Sequence, residues 1–138
     1  LGRQAEQRGS NITPERLRFD FAHPAKMTAE EIKKTEDLVN AAIKRDYPVS
    51  YQLLSVAEAK AKGAIGLFEE KYGEQVKVYT VGDPDGIPDA DPSAQTFSRE
   101  FCGGPHVEHT GVIGKFKIVK EEACSAGVRR IKAIVESF

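Results

Sequence analysis

No stretch of this sequence approaches the roughly 18 consecutive apolar residues of a membrane-spanning helix. No basic segment followed by an apolar one opens it, so no secretory leader is expected. It has no excess of either charge: 20 Lys+Arg stand against 21 Asp+Glu, a formal net charge of -1. Bulk charge therefore advertises no polyanionic partner, and any nucleic-acid contact has to use a local patch. Cysteine is scarce, with Cys102 and Cys124 alone, which excludes a disulfide framework and points to a reduced, cytoplasmic setting. Tryptophan is absent, and no internal repeat or second domain boundary is visible.

What is present is ordinary globular composition, 40% hydrophobic and 30% charged over 138 residues. That excludes a wholly disordered chain, and we expect one domain over residues 1–138. The sequence begins at Leu1 rather than methionine, from which we expect a lost upstream segment.

Residues 1–15 read as a helix remnant and then a loop. Arg16–Phe21 alternates polar and apolar side chains, which predicts a half-buried strand ended by His23-Pro24. Thr28-Ala29-Glu30-Glu31 has the spacing of a capping box, followed by apolar residues at helical intervals towards Asp46. Val49–Leu54 is a predicted strand. Ser55-Val56-Ala57-Glu58 is a second capping box, opening a short helix through Lys62. Leu67–Tyr72 reads as helical and Val76–Val81 as a strand. Residues 83–96 form a long acidic loop without the spacing of a calcium loop. Phe97–Phe101, Ile113–Val119 and Val128–Val135 are the remaining strand candidates. The order predicts an α+β fold, a largely antiparallel sheet with helices packed on one face.

The most informative stretch is Cys102-Gly103-Gly104-Pro105-His106. A thiolate and an imidazole are first-choice zinc ligands, and the glycines let the backbone bend both towards one point. Alone this is two donors where zinc takes three or four. A buried cysteine beside a turn histidine fits the same letters. His109 is a candidate third ligand, and His23 reads better as a hydrogen-bonded histidine at a strand end. Cys102 with His106 could also form a nucleophile–base pair, but nothing specifies the orienting group it needs. Arg129 and Arg130 point to opposite faces if they lie on a strand. One of them could then meet a phosphate, or both could simply guard a strand edge.

Taken together the blocks resemble the editing, or second additional, domain of alanyl-tRNA synthetases. The resemblance runs through Gln7-x-Gly9-Ser10, Leu17–Phe21 with His23, and Glu36–Asn40. It continues in Ala59–Ala64, Cys102–His106, Thr110-Gly111-x-Ile113-Gly114-x-Phe116 and Ala126–Ile131. The domain is shared with threonyl-tRNA synthetases and free-standing editing proteins. The resemblance implies hydrolysis of mischarged Ser- or Gly-tRNA(Ala) at a zinc site, inside a parent that attaches alanine to tRNA(Ala) using ATP. It implies Cys102 and His106 as metal ligands and Gln7 as a pocket residue. It also implies Gly103 and Gly104 beside the terminal adenosine, and Arg129 or Arg130 on tRNA. Partners would be the acceptor end of tRNA(Ala), its mischarged aminoacyl ester and the other synthetase domains. Three departures stand out. The family's His-x3-His would precede Leu1, Pro105 replaces the alanyl branch's usual threonine, and the acidic loop looks like an insertion. A free-standing trans-editing deacylase, or a module that binds without catalysis, remains an alternative.

Overall fold

The structure is a computed structural model, and it describes residues 1–2, 4–65 and 75–136. The α+β reading holds, with the strands divided between two antiparallel sheets. The chain forms two compact units, residues 1–40 with 113–138 and residues 41–112.

The first unit is built on a four-stranded sheet of order β1-β2-β7-β6, formed by β1 (Gln7–Ile12), β2 (Leu17–Ala22), β6 (Lys115–Ser125) and β7 (Val128–Glu136). Period-two burial places Phe116 and Ile118 of β6, with Phe21, Ile131 and Ala133, in its core. Helix α1 (Ala29–Arg45) starts at the expected box: Glu31 N–H donates to Thr28 Oγ1 at 3.1 Å, and Thr28 N–H donates to Glu31 Oε1 at 2.8 Å. Its side chains close the free edge of β6. Asn40 accepts from Phe116 N–H at 2.7 Å and donates to Phe116 O at 2.8 Å, while Glu36 accepts from Ile118 N–H at 3.0 Å. Backbone groups that an edge strand leaves open are thereby paired within the unit.

Two strand expectations are corrected here. Gln7–Ile12 is neither helix nor loop but a strand, paired with β2 from Gln7↔Phe21 to Ile12↔Leu17. Its side chains are mostly polar and exposed, so backbone pairing rather than apolar patterning defines it. The strand expected from Ile113 begins instead at Lys115. Thr110–Ile113 is a 3-10 turn and Gly114, at φ 89°, redirects the chain; β6 then runs on to Ser125.

The second unit carries a three-stranded sheet of order β3-β4-β5, with β3 (Val49–Leu54), β4 (Val76–Gly82) and β5 (Thr96–Phe101). Helix α2 (Val56–Ala61) begins at Ser55, whose full capping box is formed. Ala59, Val76, Val78 and Phe101 make the buried cluster. The helix expected at 67–72 lies outside the described residues. No helix among the described residues is long and apolar enough to cross a membrane.

Candidate functional site

The register of β3, β4 and β5 fixes what surrounds the Cys102–His106 loop. Val76, Val78 and Thr80 point into the core, so Lys77, Tyr79 and Val81 point to the other face. Tyr79 stands opposite Tyr51 on β3 and opposite Glu100 on β5. The loop leaves the end of β5, and Cys102 N–H donates to Lys77 O at 3.2 Å.

Inside the loop, Gly104 braces both candidate ligands. Its N–H donates to Cys102 Sγ at 3.4 Å, and its carbonyl lies 3.1 Å from His106 Nδ1. An imidazole whose Nδ1 donates to a carbonyl leaves Nε2 as a lone-pair donor, the tautomer that a metal takes. The His106 ring also stacks on Tyr79, with centroids 3.8 Å apart and planes 23° from parallel. A Cβ at Gly103 would meet nothing within 4 Å, so that glycine borders open space. Desolvation raises the Glu100 carboxyl above the ordinary glutamate value.

Cys102 and His106 thus suit two coordination positions of a zinc ion by donor chemistry. Among the described residues no group of three or more His, Cys, Asp or Glu could hold a metal. His109 Nδ1 is hydrogen-bonded to Asp46, which also accepts from Gly111 N–H at 2.8 Å. These bonds hold the Asp46 carboxyl below the usual aspartate value, that of His109 first. His23 is a strand-end histidine with Gln4 Nε2 at 3.4 Å from its Nδ1.

The other expected site residues lie in the first unit. Gln7 opens β1 and is half-buried. Both arginines are on β7, and each guanidinium grips a carboxylate with two nitrogens. Arg129 Nε and Nη2 hold Glu121 at 2.8 and 2.6 Å, and Arg130 Nε and Nη2 hold Asp20 at 2.8 and 3.0 Å. With Nε and Nη2 engaged, the Nη1 end of each is what would meet a phosphate. The structure therefore joins Cys102, Gly104 and His106 in one loop and leaves Gln7, Arg129 and Arg130 in the other unit.

Tyr79 and Tyr51 are what sequence reasoning passed over. Alternation over Val76–Val81 already put Tyr79 on the face opposite the core. The register that sets it beside Tyr51 was not legible, because cross-strand pairing is a tertiary property.

Comparison with known proteins bears out the resemblance. Residues 76–132 match the family described as threonyl and alanyl tRNA synthetase second additional domain. The chain is 53% identical over 136 residues to an alanine–tRNA ligase of Treponema denticola, covering 99% of this chain and 20% of that protein. It is 51% identical to the alanine–tRNA ligase of Treponema pallidum over the same share of each. With alanine–tRNA ligase 1 of Lachnoclostridium phytofermentans the identity is 48%, over 99% of this chain and 14% of that one. The chain spans about one fifth of the length of the first relatives.

Proposed function

We propose that this chain is the editing segment of a longer, cytoplasmic alanine–tRNA ligase and that it hydrolyses the ester of wrongly charged tRNA(Ala). Serine and glycine esters are the substrates this reading names. An alanine pocket cannot exclude glycine by size and excludes serine poorly, because one added hydroxyl is a small difference. A second site that receives the acceptor end removes the error. Attachment of alanine with ATP would belong to other parts of the parent.

The observation that carries this reading is the Cys102–His106 loop, with its thiol and imidazole both braced through Gly104. Cys102 and His106 would supply two zinc ligands, and the family's upstream His-x3-His the others. When bound, zinc supplies a Lewis acid for the ester or its attacking water. The chain's own part is to hold the two donors and keep Gly103 open to the terminal adenosine. A reading as a binding module without catalysis draws on the absence of a third donor beside Cys102 and His106 among the described residues.

The test is hydrolysis of Ser-tRNA(Ala) by a protein that carries this chain and the upstream His-x3-His. Replacing Cys102 by alanine is expected to abolish it. Undiminished hydrolysis by that variant would overturn the metal role of Cys102. Binding of mischarged tRNA without hydrolysis by the unaltered protein would favour the non-catalytic module.

A further inference from the structure

The outer face of the β3-β4-β5 sheet carries a group of rings, with Tyr51 the exposed member. Tyr51 and Tyr79 are cross-strand partners with centroids 5.5 Å apart and planes tilted by 47°, and the His106 ring stacks on Tyr79. Tyr51 is 53% exposed, and Leu53 on the same face is 56% exposed. Lys77 Nζ stands 4.5 Å from the centroid of Tyr51 and 5.9 Å from that of Tyr79. Its opposite number on this face is Glu100, the cross-strand neighbour of Tyr79.

We propose that this face is a stacking platform for unpaired nucleotides of RNA, with Tyr51 as the outermost ring and Lys77 as its phosphate contact. The proposal rests on the reading that the Cys102–His106 loop receives a tRNA acceptor end, and it names the surface that holds the nucleotides leading there. Three features select RNA over a protein partner. Grouped rings with an exposed member offer π-faces, which unstacked bases occupy without sequence preference. Lys77 lies against one face of Tyr51, which puts a cation within reach of the phosphate of a base stacked on the other face. The group is continuous with the candidate catalytic loop through the His106–Tyr79 stack, so a strand laid along it arrives at that loop. Lys77 and Glu100 roughly cancel, so stacking rather than bulk charge supplies the affinity.

The test uses the 138-residue protein and a single-stranded RNA hexamer ending in CCA, with an RNA duplex of the same sequence for comparison. The sequence has no tryptophan and four tyrosines, so base stacking is read directly as quenching of tyrosine emission. Anisotropy of labelled hexamer gives Kd. Tyr51→Ala and Tyr51→Leu should each weaken hexamer binding about tenfold or more, and Tyr51→Phe by less than about threefold. Lys77→Gln should reduce the slope of log K against log salt by about 0.7, one phosphate's share on a single strand. Far-UV circular dichroism matching the unaltered protein certifies each fold. No hexamer binding, equal binding of duplex and hexamer, or affinity indifferent to both Tyr51→Ala and Tyr51→Leu would overturn the platform. The last result would make this face a contact for another part of the parent. Hydrolysis is scored separately. A Tyr51-dependent platform on a protein that never deacylates leaves this inference standing without the hydrolytic reading. Deacylation with Tyr51-independent hexamer binding does the reverse.

Discussion

The imidazole of His106 lies on the phenol ring of Tyr79, 3.8 Å between centroids. A residue on a glycine-containing loop is thereby oriented by a residue on a central strand. This fixes the plane of the ring while Gly104 O fixes its tautomer. Groups that orient a metal-binding histidine typically alter metal affinity 10–100-fold when removed. In a protein that includes the upstream histidines, Tyr79→Leu should therefore weaken zinc retention by about tenfold or more. Tyr79→Phe, which keeps the stack, should restore it. Competition with a chromophoric chelator measures both. Equal retention in all three would show that the loop alone sets the His106 ring.

Asp20 and Arg130 make an enclosed ion pair in the first unit, with Asp20 only 6% exposed. Removing one partner of a buried pair leaves the other without compensation. Asp20→Ala should destabilise folding by about 3 kcal/mol, read from chemical denaturation. Asp20→Asn keeps the shape and part of the hydrogen bonding and should cost less.

The same pairs give a pH dependence with a defined sign. The Arg130 guanidinium holds the Asp20 carboxyl below its ordinary value of 3.8, and Arg129 holds Glu121 below 4.5. Groups with depressed folded values stabilise fully above their unfolded values. Their contribution should be complete above about pH 5 and be lost as pH falls through the folded values. Thermal melts between pH 2 and pH 7 should show Tm falling at the acid end, with a shallower fall in Asp20→Ala. Identical acid slopes would contradict the assignment.

Gly82 ends β4 at φ 112°, where a Cβ would lie 2.3 Å from Gln95 O and 2.8 Å from Thr96 Cα. Both obstacles are backbone atoms, so no rotamer change relieves them. Gly82→Ala should cost about 3 kcal/mol or more, through strain and overpacking together. Gly103→Ala, which meets nothing, should be nearly neutral for stability.

Arg99 is 3% exposed and satisfied by neutral acceptors: Thr80 Oγ1 at 3.0 Å, Lys62 O at 2.6 Å and Pro84 O at 2.7 Å. It fastens the start of the acidic loop to the end of α2. Arg99→Met strips these acceptors of their donor, which should lower stability by about 2–3 kcal/mol. Limited proteolysis within residues 83–96 should accelerate accordingly. Unchanged cleavage would mean that the loop is held by other contacts.

How much of this was legible in the sequence follows from where each signal resides. Both capping boxes and the strand Val49–Leu54 lie where local chemistry predicts them, because caps and alternation are near-neighbour properties. The strand Gln7–Ile12 was hidden because its side chains carry no apolar period; its definition comes from β2 across the sheet. Cys102 and His106 could be picked out by residue type and spacing. The carboxylates that hold Arg129 and Arg130 come from Glu121, across a hairpin, and from Asp20, far along the chain. No local pattern announces either partner. The bond between Asp46 and His109 also joins residues far apart in the sequence.

The central claim is that this chain removes the wrong amino acid and spares the right one. The most direct measurement compares first-order hydrolysis rates of Ser-tRNA(Ala) and Ala-tRNA(Ala) by a protein comprising this chain and the upstream histidines. The account predicts rapid loss of the serine ester, near-background loss of the alanine ester, and background rates for both with Cys102→Ala. Equal hydrolysis of the two esters, or serine-ester hydrolysis that survives Cys102→Ala, would contradict it.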